Sequence, residues 1–528
     1  MKLQKPVKEY EDLPWRRAMR GDLGKVLLIY PVTGMDVLGI NVGLPLSCLY
    51  LGTVLEQAGY RVEILDERLT STFGQDVAVS IRQERPVMVG ISSMTGMQIR
   101  GGLQAAAAVR GVDPNLPIVW GGVHPTLCPD STLKDPLCDL IVLGEGEITL
   151  IELADCLGEG RDLSAVAGIG YKTDGKLEFT PSRPMIEDLD VIPPPNYDLL
   201  PMEHYFTTAP SSAERQLQVV TSRGCPFDCE FCYNLKFNER RFRYFSAQRT
   251  VSDIVDLVER FGVRAIFVED DYFFGHPGRV EKICDLLLEE SLDLLIQVPC
   301  RVDYLFRQSE KMIDKLYRAG FKELWIGIES GSPRRLKEIL KRTTLEQVRE
   351  VNQMLSRSDV YAKYGFMAGF PKEKREETLE TVDFMFELLS RNPRAGVAPV
   401  AIYTPYPGTT LYDKARLVYG MEFPDTLEGW SRFHFGENNN PFLSRRQKAF
   451  ISKVNVMSRF FERKAFERFS ENRLKPLLML LYDLYYRYLK LRLRWRCFEF
   501  MPEIPVIRLL ERLYLQFFHK AQLSKLSR

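Results

Sequence analysis

No stretch of about 18 uninterrupted apolar residues occurs in this sequence, so no membrane-spanning helix is expected. The N-terminus, MKLQKPVKEYEDLPWRR, has no apolar core of the kind a secretory signal needs. Cysteine is sparse: of ten, seven lie singly and only Cys225, Cys229 and Cys232 cluster. That is not a disulfide framework, and it suits a reducing, cytoplasmic compartment. Excess charge of one sign is also missing, since the formal net charge is +1. The balance hides a split, because residues 445–528 carry twenty Lys and Arg against seven Asp and Glu. An acidic body with a basic tail points to an acidic surface as partner.

What is present is two runs of alternating strand and helix signals. In the first, apolar segments at 25–31, 61–66, 87–92, 117–122 and 139–144 read as strands. Helical segments are predicted at 45–58, 74–84, 97–110 and 147–157. Strands apolar throughout and separated by helices predict a parallel, doubly wound sheet covered on both faces, with ligands at the strands' carboxyl ends. Residues 161–214 read as a linker with a small hairpin, rich in proline near 181–201. A second run follows, with strands near 217–222, 264–269, 295–300, 323–328, 362–369 and 397–403. Six strand–helix repeats predict a partial (β/α)6 barrel of TIM type. The predicted organisation is therefore α/β: a Rossmann-like domain (20–160), the linker (161–214), the partial barrel (215–420) and a basic helical C-terminal domain (421–528). The tail segment KPLLMLLYDLYYRYLKLRLRWRCFEF mixes Leu, Tyr and Phe with Arg and Lys at helical spacing. It reads either as a helical cap packed on the barrel or as a basic amphipathic surface for anionic lipid. Arginines interleaved with Leu and Tyr do not form a phosphate track, so no nucleic-acid partner is expected.

The segment TSRGCPFDCEFCYN (221–234) carries the chemistry. Three thiolates on one tight loop can hold three irons of a four-iron cluster and leave the fourth open to substrate. The alternatives are a zinc site or buried structural thiols. Zinc generally takes a fourth protein ligand nearby, and no histidine follows Cys232 within forty residues.

This C-x3-C-x2-C loop, with Phe231 as its aromatic, resembles the motif of the radical S-adenosylmethionine (SAM) superfamily. An α/β domain in front of it, with GLPLSCLYLGTVLEQAGYRVEILD (43–66) and GGVHPTLCPD (121–130), resembles the cobalamin-binding class, over roughly residues 20–410. The resemblance implies a 4Fe–4S cluster on Cys225, Cys229 and Cys232, with SAM on the open iron. It implies that electron transfer cleaves SAM to methionine and a 5′-deoxyadenosyl radical. SAM contacts are implied at Phe231, Asp270, Asp271, Arg301, Glu329, Ser330 and Gly369, which follow one another at successive strand ends. Arg301 would meet SAM's carboxylate and an acidic residue of 269–271 its ammonium. Cobalamin contacts are implied at Ser92, Ser93, Thr95, Gly121, Gly122, His124, Thr126, Gly144 and Glu145, with the corrin between sheet edge and barrel mouth. The chain lacks the D-x-H-x-x-G segment that places a histidine under cobalt, so His124 is expected to touch cobalamin without ligating the metal.

The expected activity is methylation of an unactivated carbon on a hydrophobic substrate: lipid, isoprenoid or tetrapyrrole. The same parts serve oxidative ring closure, as in the anaerobic cyclase of magnesium-protoporphyrin monomethyl ester. A non-catalytic cobalamin-binding protein would not need the intact cysteine triad. The expected partners are a reductant such as flavodoxin or ferredoxin and, through the tail, a membrane surface.

Overall fold

The computed structural model describes residues 13–16, 21–34, 42–208, 214–433, 442–461, 463, 475–498, 501–505, 507 and 509. Contacts divide the chain into two compact units. One runs up to Tyr205 and also takes in the described residues 422–433; the other holds Phe206–Met421 and the described residues from 442 onward.

The first unit is built on strands β1 (Lys25–Tyr30), β2 (Arg61–Asp66), β3 (Met88–Ser92), β4 (Ile118–Gly121) and β5 (Leu140–Val142). They pair in parallel in the order β2-β1-β3-β4-β5. Helices α1 (Leu46–Gln57), α2 (Phe73–Gln83), α3 (Met97–Val112), α4 (Val123–Leu127), α5 (Pro129–Leu133) and α6 (Glu147–Glu159) connect them. Val26, Leu27, Leu28 and Ile29 are all buried, as a parallel strand covered on both faces requires. The hairpin expected inside the linker is the edge of this same sheet. Its strands, β6 (Ile169–Thr173) and β7 (Lys176–Phe179), join antiparallel, with β6 against β5.

The second unit starts with β8 (Thr207–Thr208), antiparallel to β9 (Arg215–Val219). A short ribbon, β10 (Ser222–Arg223) with β11 (Arg243–Tyr244), brackets the cysteine loop. Strands β12 (Ala265–Val268), β13 (Leu295–Arg301), β14 (Glu323–Glu329), β15 (Tyr361–Ala368) and β16 (Ala395–Val397) extend β9 in parallel. The helices between them include α7 (Ala247–Phe261), α8 (Pro277–Glu289), α9 (Val302–Leu305), α10 (Glu310–Arg318), α11 (Pro333–Glu338), α12 (Leu345–Ser356) and α13 (Arg375–Arg391), followed by α14 (Thr410–Tyr419). Local sequence sets their ends: Ser246 caps α7 through the Arg249 amide, and Gly262 closes it in the left-handed conformation. Thr344 and Gln347 form a capping box on α12. Six parallel strands in order, each with its helix, make the partial barrel. The last predicted strand, 397–403, is instead two pieces, β16 and β17 (Ala401–Ile402), both on β15. Pro399 lies between them and has no amide to give the ladder.

Beyond α14 the chain re-enters the first unit with α15 (Leu427–Ser431). It then supplies the second with α16 (Arg445–Ser458) and α17 (Lys475–Arg494). Of the predicted C-terminal domain, 434–441, 462, 464–474, 499–500, 506, 508 and 510–528 lie outside the described residues. Among the described residues no helix is long and apolar enough to cross a membrane.

Candidate functional site

The cysteine loop is held from beneath by two adjacent carboxylates at the end of β12. Asp270 is buried and accepts from the Thr221 amide (2.6 Å) and hydroxyl (2.6 Å), and from the Ser222 amide (3.0 Å) and hydroxyl (2.7 Å). Burial raises its carboxyl above the usual range, while these donors work in the opposite direction. Asp271 accepts from the Gly224 amide at 3.0 Å and the Tyr233 hydroxyl at 2.9 Å, one contact on each side of the cysteines. Gly224 has φ +81°, and a Cβ there would lie 2.1 Å from the Arg241 carbonyl oxygen, so the bend admits only glycine. Buried Arg279 closes the base, donating to the carbonyls of Phe245 (2.7 Å) and Thr221 (2.8 Å).

Donors also reach the sulfurs. Arg301, at the end of β13, directs Nη1 to Cys229 Sγ at 3.5 Å. Its Nε holds Asp303 at 2.8 Å, its Nη2 the Lys341 carbonyl at 2.9 Å, and its guanidinium lies 3.6 Å over the Phe227 ring. Asn234 Nδ2 stands 3.7 Å from Cys232 Sγ, with its own oxygen accepting from Asn238 at 2.6 Å. Burial pushes the Cys225 thiol up to about 11 and raises Cys232 as well. Thiols in such surroundings give up their protons to a metal rather than to water. Among the described residues no three His, Cys, Asp or Glu side chains converge as on one ion. Three thiolates serving three irons of a cluster are spread more widely than that. Sulfur-directed donors around three thiols on a fixed loop fit an iron–sulfur cluster.

Of the remaining predicted SAM contacts, Glu329, Ser330 and Gly369 lie at strand ends and Phe231 in the cysteine loop, and several have partners of their own. Glu329 closes β14 at φ +74°, beside a register shift, and pairs with Lys341 Nζ at 2.7 Å. Ser330 is buried, 3.2 Å from the Thr381 hydroxyl. At Gly331 a Cβ would sit 2.6 Å from the Thr381 Cα, so it is α13 that the glycine admits. Gly369, at φ +96°, donates its amide to buried Glu373 at 2.6 Å, and Phe370 donates to the same oxygen at 2.9 Å. Phe231 meets Phe370 edge-on, with centroids 6.2 Å apart, and Phe370 stacks on Tyr403 at 5.1 Å. Ile339 and Leu411 complete this apolar wall beside the motif. Buried Glu230 pairs with the exposed Lys414 ammonium (2.6 Å) and so ties the motif to α14. That partner lies 184 residues away, beyond any local pattern.

In the first unit, the loops after β3, β4 and β5 converge. The Ser93 amide donates to the Gly121 carbonyl (2.8 Å), and the His124 amide to the Ser93 carbonyl (3.1 Å). Gly122 has φ +100°, and a Cβ there would come 2.9 Å from that carbonyl oxygen. Thr126 Oγ1 donates to the Gly122 carbonyl (2.8 Å) and accepts from the Gly144 amide (3.0 Å). Ser92 Oγ meets Ser47 Oγ of α1 at 3.0 Å, and Glu145 accepts from the Ile186 amide at 2.9 Å. His124 Nδ1 lies 2.9 Å from Thr95 Oγ1, while burial drives its pKa down to about 3, so the ring is neutral. Two polar atoms are buried here with no hydrogen-bond partner among the described residues: Ser93 Oγ and His124 Nε2. Leaving such atoms unpaired costs about 1–3 kcal/mol each. Within these loops their neighbours are small residues and bare backbone, and the set fits a large ligand carrying its own polar groups. Trp430, from the re-entrant segment, packs edge-on against His124 at 5.5 Å. Nothing in the local sequence announces that contact.

Comparison with known proteins agrees with both halves. The B12 binding domain family matches residues 41–154, and the radical SAM superfamily matches 219–385. An uncharacterized methyltransferase of Pyrococcus horikoshii is 33% identical over 394 residues, covering 74% of this chain and 83% of that protein. The anaerobic magnesium-protoporphyrin IX monomethyl ester cyclase of Rubrivivax gelatinosus is 28% identical, covering 82% and 78%. Among solved structures, the cobalamin-dependent radical SAM enzyme OxsB, with aqua-cobalamin and SAM bound, superposes with a TM-score of 0.69 at 20% identity. It covers 89% of this chain and 71% of that one. The radical SAM methyltransferase TsrM of Kitasatospora setae gives 0.59 at 17% identity, covering 75% and 76%.

Proposed function

Because this chain belongs to the cobalamin-binding radical SAM family, we propose that it methylates an unactivated carbon of a hydrophobic substrate: a lipid, isoprenoid or tetrapyrrole. It is a radical SAM enzyme of methyltransferase type, and the cofactors are a 4Fe–4S cluster, SAM and cobalamin. Bound to the chain, these groups supply reductive cleavage of SAM and a transferable methyl group.

The protein's part is to hold and shield. Cys225, Cys229 and Cys232 grip the cluster, with Asp270 and Asp271 fixing their loop and Arg301 and Asn234 donating to sulfur. Glu329, Ser330 and Gly369 line the strand ends where SAM binds, and the wall of Phe231, Phe370 and Tyr403 keeps water from the radical. In the first unit, Ser93 and His124 offer hydrogen bonds to the corrin's amide-bearing rim, with Ser92, Thr95, Gly121, Gly122, Thr126, Gly144 and Glu145 shaping its bed. The reading rests most on the sulfur-directed donors around the cysteine triad. A flavodoxin or ferredoxin supplies the electron, and the apolar wall and the Leu- and Tyr-rich tail favour an apolar substrate held near a membrane surface.

The test is anaerobic reconstitution with iron, sulfide and cobalamin, then reduction with SAM in the presence of lipid, isoprenoid and tetrapyrrole acceptors. Deoxyadenosine and S-adenosylhomocysteine formed together support methylation. Deoxyadenosine alone, with a competent acceptor consumed, moves the assignment to oxidative cyclisation, the activity named for the Rubrivivax relative.

A further inference from the structure

Helix α17 has two apolar faces, and among the described residues the second unit packs on only one of them. The inner face is aromatic. Tyr482 is buried and donates to the Phe460 carbonyl at 2.9 Å, Tyr485 meets Phe460 edge-on at 4.6 Å, and Tyr486 packs against Phe386 and Phe461. Leu489, on the same side, is fully buried. The outer face is aliphatic. Leu477, Leu480, Leu481, Leu484 and Leu491, with Trp495 just past the helix end, are 45–71% exposed. At 3.6 residues per turn they fall within an arc of about 100°, a continuous stripe that also takes in exposed Tyr488 and faces away from Tyr482, Tyr486 and Leu489. Arg487, Lys490 and Arg494, all exposed, share one margin of that stripe. Asp483, the acidic residue on the same flank, is paired with Arg463 at 2.7 Å.

A leucine stripe in water is unfavourable unless something covers it. The cationic margin selects the cover, since apolar contact bordered by Arg and Lys matches an anionic bilayer surface, acyl chains beneath and phosphate alongside. We infer that α17 docks flat on anionic phospholipid bilayers, with its leucines in the acyl boundary and Arg487, Lys490 and Arg494 at the headgroups. This deepens the membrane part of the proposed function by naming the surface. It holds or fails independently of the reaction, because the measurement involves no turnover.

The experiment is flotation of the full-length, cofactor-reconstituted protein with phosphatidylcholine vesicles, with and without phosphatidylglycerol. The protein is expected to float with the mixed vesicles and to be released by high salt. L480D/L484D should lower partitioning at least about a hundredfold, the loss expected when two leucines leave an apolar environment. R487Q/K490Q/R494Q should lower it about a hundredfold on phosphatidylglycerol, with little change on phosphatidylcholine. L417D/V418D removes two exposed apolar side chains from α14 and should bind like the wild type. Iron and corrin contents equal to wild type in every variant show that the fold is kept. Failure of the wild type to bind mixed vesicles, or binding unchanged in L480D/L484D, overturns the inference. So does a wild-type dimer that L480D/L484D dissociates, which would make this face a contact between two copies of the chain.

Discussion

Arg301 and His124 make opposite demands on their surroundings. Arg301 is a buried cation whose fork is fixed by Asp303 and the Lys341 carbonyl, with one nitrogen on the Cys229 sulfur. A positive charge donating to a cluster thiolate favours the reduced state. Replacing it with Gln is expected to lower the cluster's reduction equilibrium by about tenfold, roughly 59 mV for a one-electron couple. A redox titration followed by electron paramagnetic resonance, run without SAM, measures this. An unchanged potential accompanied by weakened SAM binding would return Arg301 to the carboxylate role the sequence suggested. His124 is a buried neutral ring with its pKa lowered from 6.5 to about 3. The unfolded chain therefore binds a proton there that the folded chain refuses, and stability rises with pH between about 3 and 6.5. Acidifying the apoprotein from pH 7 to 4 is expected to cost about 3 kcal/mol through this residue alone. H124Q should flatten that part of the profile in denaturant titrations; an identical slope would show that other groups carry it. Residues 268–274 show how far the sequence alone could reach. A run of three acids at a strand end was legible, but not which way each side chain points. Asp270 and Asp271 turned out to hold the cysteine loop, a task that depends on Thr221, Ser222 and Gly224 nearly fifty residues away.

Strands and helices were the most legible part. The runs in β1, β3, β4 and β5 are buried on both faces, and a buried parallel strand leaves that signature in composition, while β2, at the sheet edge, is only partly covered. Departures came where pairing, not composition, decides. The 169–179 hairpin has ordinary turn chemistry, and only its ladder to β5 reveals which sheet it joins. Close helix–strand approach is equally silent, although glycine permits it. Gly331 lies against the backbone of Thr381 and Glu380 in α13. Substituting Ala there is expected to destabilise the second unit by about 1–3 kcal/mol, the usual penalty of overpacking. Thermal unfolding of the G331A variant measures it, and an unshifted midpoint would mean that α13 yields without cost.

Across the full chain, the two ligand-holding regions belong to different compact units, and their loading should be separable. C225A is expected to abolish iron uptake and SAM cleavage while corrin is still retained. S93A/H124A is expected to weaken corrin retention by about tenfold while the iron content stays at the wild-type level, as two buried hydrogen bonds are lost. Metal analysis and visible spectra of the same samples report both, and joint loss in either variant would refute the separation.

The re-entry of 422–433 into the first unit has a consequence for synthesis. The ribosome delivers Tyr205 roughly 220 residues before Trp430, which at about 5–20 residues per second is a delay of tens of seconds. For that interval the nascent first unit waits with His124 uncovered by the Trp430 indole, and residues 422–433 arrive only after most of the second unit has emerged. Chaperone occupancy on stalled nascent chains should therefore persist past residue 205 and fall only once the 430s have cleared the exit tunnel.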